Sequence, residues 1–299
     1  MNIPKNVEII EVCPRDGFQN VKDFIKTEDK IEIIKKLVDV GYKKIEITSF
    51  VNPKWIPQMV DAADVVAEIK NYTRDKDVEL MGLIPNKRGA TNAEATGIDW
   101  ISYVVSVSEK HNMANVNRTV EQSMAEFEEI VGDKKGMKVR LGIATALGCP
   151  FGEEIKTEKI ISMAEKGLKL GADSILIADT VGLGNPALVD RVLGEMKKYI
   201  DMDKICMHLH DTRGLSLAHT LVAMNHGVKV FESAAGGLGG CPFAPGASGN
   251  CATEDLANML MGMGVDINLN IEELNKAVDL IKQKVNSPIV SHMNSLCKK

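Results

Sequence analysis

The chain has 299 residues, a net charge of −5 and a pI near 5.8, with 44% hydrophobic and 26% charged residues. That length accommodates two ordinary domains or one large α/β barrel, and that apolar content supplies a sizeable core. Mild acidity argues against a nucleic-acid binder, which presents a basic face, and no apolar run approaches the roughly 18 residues that a bilayer span needs.

Met1-Asn2-Ile3-Pro4-Lys5 leads straight into a strand pattern, so no signal or transit segment is expected. Six cysteines (13, 149, 206, 241, 251 and 297) lack paired spacing, which predicts free thiols and a reducing, cytoplasmic setting. The first strand, 7–12, ends in Cys13-Pro14-Arg15-Asp16-Gly17. Ile31, Ile34 and Val38 then recur at helical spacing behind Thr27, read as an N-cap, with Glu28 and Asp29 in the first turn. Gly41 closes that helix and is followed after three residues by strand 44–48. The same punctuation, a glycine and then a strand, returns at Gly97, Gly136, Gly171 and Gly227. Further strands are predicted at 78–83, 100–106, 138–144, 174–178, 204–209 and 229–233. Asn185-Pro186 caps a helix that carries Val189, Val192, Leu193, Met196 and Ile200 on one face. A last helix is predicted over 271–286.

Helix and strand alternate without a break, which predicts a parallel sheet. Eight strands fit a TIM (β/α)8 barrel with a C-terminal helical extension. The expected organisation is a single catalytic domain over 1–299, with the barrel at about 7–264 and the extension at 265–299. The rival is a doubly wound open sheet, which would separate the first strand from the last.

Polar residues cluster where the predicted strands end: Asp16, Glu46 with Thr48 and Ser49, Ser106, Thr145, Asp179 with Thr180, His208 with His210, and Ser233. In a barrel that rim carries the chemistry. His208 and His210 lie two apart on a strand and so face one side. Together with Asp16 and Asn250 they make a nitrogen and oxygen donor set that suits Mg2+ or Mn2+; the other reading is a hydrogen-bonded buried pair of imidazoles. Arg15 either stabilises a developing enolate or forms an ion pair with Glu46 or Asp179, and the two roles are compatible. Cys241, between Gly240 and Pro242, is a general acid, a base or a nucleophile, or a small buried apolar side chain. Asp179 and Glu46 are candidate bases or partners of the histidines. His111, His219, His226 and His292 receive no partner from the sequence.

These residues resemble the 3-hydroxy-3-methylglutaryl-CoA lyase family, within the barrel metallolyases and Claisen-type synthases. The likeness runs from about Val7 to about Gly264. It rests on Glu11-Val12-Cys13-Pro14-Arg15-Asp16-Gly17-Phe18-Gln19-Asn20, on Thr48-Ser49-Phe50-Val51-Asn52-Pro53-Lys54-Trp55-Ile56-Pro57-Gln58-Met59, and on Ala146-Leu147-Gly148-Cys149-Pro150. It rests also on His208-Leu209-His210-Asp211-Thr212 and on Gly237 to Asn250, which includes Gly239-Gly240-Cys241-Pro242-Phe243-Ala244-Pro245-Gly246. The resemblance implies metal ligands Asp16, His208, His210 and Asn250, and a divalent ion, Mg2+ or Mn2+. It implies Arg15 stabilising an enolate, Cys241 protonating it from a loop, and Asp179 and Glu46 in acid/base support. Gln19, Ser49 and Thr180 are the expected substrate-binding residues.

The implied reaction is retro-Claisen cleavage of an acyl-CoA substrate, 3-hydroxy-3-methylglutaryl-CoA, to acetyl-CoA and acetoacetate. It implies a place in leucine degradation and ketone-body metabolism, a homodimer, and neither nucleic-acid nor membrane partners. The chain departs from the pattern at Lys110-His111-Asn112, where the family carries an aromatic-containing stretch; a loop there over the barrel mouth would leave the acyl group open. The alternatives are a lyase for another branched 3-hydroxyacyl-CoA, a condensing relative of isopropylmalate, homocitrate or citramalate synthase type, and an inactive barrel serving as a scaffold. A thiol at Cys297 in the tail makes redox control a further reading.

Overall fold

The computed structural model describes residues 2–240 and 249–296. Eight parallel strands close a barrel in sequence order: β1 (Glu8–Glu11), β2 (Lys44–Ser49), β3 (Glu79–Ile84), β4 (Trp100–Ser106), β5 (Lys138–Ala144), β6 (Ser174–Asp179), β7 (Ile205–Leu209) and β8 (Val230–Ser233). Each boundary lies within one residue of the sequence expectation. Closure is direct, with Glu8 opposite Val230 and Glu11 opposite Ser233. The open doubly wound sheet is therefore excluded, and β1 and β7 flank β8 at one mouth.

Helices α1 (Thr27–Val40), α2 (Ala62–Tyr72) and α3 (Lys87–Thr96) cover the first strands, and α4 (Glu109–Val116) and α5 (Val120–Gly132) follow β4. Next come α6 (Thr157–Leu170), α7 (Pro186–Met196), α8 (Ser216–Asn225) and α9 (Thr253–Gly262). Gly41 closes α1 at φ +101°, a left-handed conformation that costs glycine no Cβ clash. Asn185 caps α7 as expected, its Oδ1 accepting from Leu188 N at 2.9 Å. Among the described residues, no helix is long and apolar enough to cross a membrane.

Two local expectations need correction. Thr27 is not the N-cap of α1: Lys26 holds that position without a side-chain bond. The buried Lys30–Asp61 pair at 2.9 Å draws the Thr27 hydroxyl, which donates to Asp61 Oδ2 at 2.8 Å instead of facing its own amides. Lys110-His111-Asn112 is not a loop over the mouth but the first half of α4. Ser108 caps this helix, its Oγ accepting from His111 N at 3.0 Å. The Asn112 side chain accepts from Ser106 N (3.0 Å) and donates to Ser123 Oγ (2.8 Å), which locks the end of β4 onto α5. Both His111 and Asn112 are buried, and Lys110 alone of the three is exposed.

The C-terminal helix α10 (Ile271–Lys284) ends two residues earlier than expected and packs against α1. It is capped by Asn270, whose Oδ1 accepts from Glu272 N and Glu273 N, and it buries Leu274, Ala277, Val278 and Ile281. The chain then returns to the catalytic end. Val290 N donates to Gly236 O at 3.0 Å, and Asp255 accepts from His292 N and Met293 N in the first turn of the short α11 (His292–Ser295). The extension thus braces the loop that leaves β8.

Candidate metal centre

After β1 the chain winds into a π-helical turn, Cys13–Gly17. The Val12 carbonyl accepts from Arg15 N, Asp16 N and Gly17 N at 3.2, 2.7 and 3.4 Å, and this tight coil turns Arg15 and Asp16 into the mouth, where both are buried. Gly17 is required by contact: a Cβ there would stand 2.9 Å from Leu238 Cβ, on the loop after β8. Glu11 clasps the same two segments. Its carboxylate accepts from Cys13 N (2.8 Å), Ala235 N (2.9 Å), Tyr42 Oη (2.9 Å) and Thr253 Oγ1 (3.0 Å). Burial pushes its pKa up to about 7 although all four bonds pull it down.

Asp16, His208 and His210 offer ligand atoms that lie within 4.8 Å of one another, and all three are buried. Asn250 completes the group. Its Nδ2 donates to Asp16 Oδ2 (2.7 Å) and to Leu238 O (2.9 Å), and its backbone pairs with that of His210. The other Asp16 oxygen accepts from Gln19 Nε2 at 2.7 Å and pairs with Arg15. His210 Nδ1 is buried with no hydrogen-bond partner among the described residues. Two imidazoles, a carboxylate and an amide therefore form a set that can hold a metal ion.

Two of the three donors are shifted toward the form that ligates, Asp16 ionised and His210 neutral. Burial would raise the Asp16 pKa, but Arg15, both histidines and the Asn250 hydrogen bond outweigh it and hold the carboxyl at about 2. Burial, with His208 beside it, pushes His210 down to about 3, so its ring is neutral. Burial also works against a charged His208, but the hydrogen bond from its Nδ1 to Glu232 Oε2, 2.7 Å long, reverses the shift upward.

Beneath this group lies a chain of buried charges. Arg15 Nε pairs with Glu46, Arg140 Nη2 reaches Glu46 at 3.5 Å and Glu232 at 2.5 Å, and Arg140 Nε donates to Ser102 Oγ at 3.0 Å. Arg15 therefore makes the ion pair with Glu46 foreseen from sequence, and none with Asp179. Glu232 and Arg140 were not singled out in the sequence. The available signal was a charged residue beside an apolar one in mid-strand (Phe231-Glu232-Ser233 and Val139-Arg140-Leu141), where both charged side chains prove to be buried.

The remaining candidates divide. Asp179 ends β6 with its carboxylate accepting from Leu183 N (2.9 Å) and Gly184 N (3.2 Å), and burial raises its pKa to about 6. His219 Nδ1 lies 3.8 Å from it. Ser49 Oγ is buried without a hydrogen-bond partner among the described residues. Thr180 Oγ1 accepts from Thr145 N (2.8 Å), so it serves the β5 loop. Ser106 Oγ meets His111 Nδ1 at 2.6 Å, and Ser233 Oγ meets Thr253 Oγ1 at 2.7 Å. His226 contacts Asp190 (2.8 Å) and His292 contacts Asp255 (3.1 Å). Cys13, Cys149, Cys206 and Cys251 are free and buried. Cys241 and Cys297 lie outside the described residues. Gly240, which precedes Cys241, is tied to the first turn by Asn20 Nδ2 donating to its carbonyl at 3.0 Å.

The HMGL-like family model matches residues 6–281. The chain belongs to the HMGL-like family. Within that family it is 41% identical over 293 residues to the hydroxymethylglutaryl-CoA lyase of Bacillus subtilis, covering 97% of each chain. It is 39% identical over 299 residues to the mitochondrial hydroxymethylglutaryl-CoA lyase of Rattus norvegicus, covering 99% of this chain and 91% of the relative. The crystal structure of the Bacillus HMG-CoA lyase superposes with a TM-score of 0.95 over 98% of both chains. An HMG-CoA lyase from Acinetobacter baumannii in complex with coenzyme A and 3-methylmalate, 39% identical, superposes with a TM-score of 0.91 over 97% of this chain and 94% of its own. Such HMGL-like neighbours share the closed barrel seen here.

Proposed function

We propose that this chain cleaves 3-hydroxy-3-methylglutaryl-CoA to acetyl-CoA and acetoacetate with one Mg2+ or Mn2+ held by Asp16, His208, His210 and Asn250. The observation that carries this reading is the buried Asp16–His208–His210 group with Arg15 beside it at the mouth of an HMGL-like barrel. When bound, the ion acts as a Lewis acid that lowers the pKa of the tertiary hydroxyl. Asp179 takes the hydroxyl proton; Glu46 is fully committed to two guanidiniums and orients Arg15 instead. The bond between the carbinol carbon and the thioester α-carbon breaks, leaving a ketone, and its electron pair becomes the enolate of acetyl-CoA. Arg15 spreads the enolate charge, and the Cys241 thiol delivers the proton that completes the acetyl group. Gln19 fixes the orientation of Asp16, and the Ser49 hydroxyl, without a hydrogen-bond partner among the described residues, is assigned to the substrate.

The direct test is acetyl-CoA release from 3-hydroxy-3-methylglutaryl-CoA by purified protein with Mg2+ or Mn2+. Assay of other branched 3-hydroxyacyl thioesters identifies the preferred acyl group. Free CoA released from acetyl-CoA plus a 2-oxo acid would instead mark a condensing enzyme.

Two predictions arise from these roles. Because burial holds Asp179 near pKa 6, its basic form is lost as pH falls through 6; kcat/KM at saturating metal is expected to drop about tenfold per pH unit below that point. A profile flat down to pH 5 would remove Asp179 as the base. Cys241→Ala is expected to lower kcat about a hundredfold or more while stoichiometric Mn2+ binding survives. Undiminished turnover in that variant would take the thiol out of the mechanism.

A further inference from the structure

We propose that Glu232, gripped by Arg140, is a positioning residue that dictates which nitrogen of His208 is offered to the ion; this rests on the metal-centre reading above. Glu232 lies on β8 directly opposite His208 on β7, and it is 2% exposed. Its two oxygens have separate tasks. Oε2 lies 2.7 Å from His208 Nδ1, and Oε1 lies 2.5 Å from Arg140 Nη2. An ionised carboxylate only accepts hydrogen bonds, so it holds the proton of a neutral His208 on Nδ1 and leaves the lone pair on Nε2 free for a ligand bond. Arg140 is 1% exposed and also reaches Glu46, the partner of Arg15. The histidine and the cationic arm are thereby registered to each other through one guanidinium.

The arrangement makes an isosteric change informative. In Glu232→Gln the side chain keeps its shape but has one accepting oxygen and one donating amide. The Arg140 guanidinium can only donate, so it captures the oxygen. The amide then donates to His208 Nδ1, which must become an acceptor. The ring proton moves to Nε2, where it blocks the ligand bond. The alternative amide orientation points a donor at a buried guanidinium. Removing the partner that orients a metal-bound histidine lowers metal affinity by about 10- to 100-fold.

The experiment is Mn2+ titration of metal-stripped wild type and E232Q, followed by the electron paramagnetic resonance signal of free Mn2+. It is paired with long-range 1H–15N spectra of the metal-free proteins at pH 9, in which the His208 signal is assigned by its loss in His208→Asn. The expected result is one Mn2+ per wild-type chain with His208 protonated on Nδ1. In E232Q, affinity should be 10- to 100-fold weaker, with the proton on Nε2 and a metal-free melting temperature within a few degrees of wild type. Mn2+ affinity in E232Q within twofold of wild type would overturn the proposal, as would weakened binding with the proton still on Nδ1. The wild-type spectrum tests the proposal without any variant: a neutral His208 protonated on Nε2 overturns it. Wild type that binds no Mn2+ would remove the metal centre itself, a failure distinct from either of these.

Discussion

Asp16→Asn is expected to abolish stoichiometric Mn2+ binding and to lower kcat about a thousandfold, the loss that corresponds to several kcal/mol of Lewis-acid stabilisation. The substitution keeps the side chain's shape, but every group around it depends on its charge and on both oxygens. Oδ2 accepts from Asn250, and Oδ1 accepts from Gln19 and pairs with Arg15. An amide must turn its NH2 toward one of these donors, so the ligand group splays apart as its negative charge disappears. The fold should survive, because Arg15 retains Glu46 and the turn itself is held by backbone bonds to Val12. Isothermal titration with Mn2+, a thermal melt and steady-state kinetics check the prediction together. An Asp16→Asn protein that holds one ion per chain and turns over within tenfold of wild type would contradict it.

Arg15→Lys is expected to lower kcat by about 10²- to 10³-fold while Mn2+ affinity stays within a fewfold of wild type. Arg15 is gripped from two sides, its Nε by Glu46 and its Nη1 by Asp16, so its planar head is aimed before substrate arrives. A lysine ammonium is a point charge with no fork; it can satisfy one carboxylate at a time and cannot also face a developing enolate at the same position. The loss should therefore fall on kcat rather than KM. Equal kcat in the two proteins would mean that the guanidinium only shapes the turn.

The barrel was legible because its two periodicities are clean. Apolar faces such as Ile31, Ile34 and Val38 mark helices, glycines such as Gly41 stop them, and short β-branched runs follow. Ring closure then followed from the chemistry, since Asp16 and the histidine pair have a common task only if β1 and β7 approach through β8. The buried charges beneath the site were not legible in the same way. Arg140 meets Glu46 across 94 residues of sequence and reaches Glu232 on a third strand, and a charged residue in a strand looks solvent-facing until both faces of the sheet are known to be covered. The role of Glu11 is not visible in the sequence, because its four donors come from four different segments. The error at Lys110-His111-Asn112 had a readable remedy: Ser108 followed by Glu109 is an N-cap with an acidic first turn. Thr27 had none, since its diversion to Asp61 depends on a lysine buried three residues later.

The central claim is that a divalent cation, gripped by residues from both ends of the barrel sequence, carries the carbon–carbon cleavage. It is tested most directly by stripping the protein with a chelator and adding Mn2+ back in steps, while acetyl-CoA released from 3-hydroxy-3-methylglutaryl-CoA is measured at each step. The account predicts no release from the stripped protein and a linear rise that saturates at one Mn2+ per chain. Full release from the stripped protein, unchanged by added Mn2+, would contradict it.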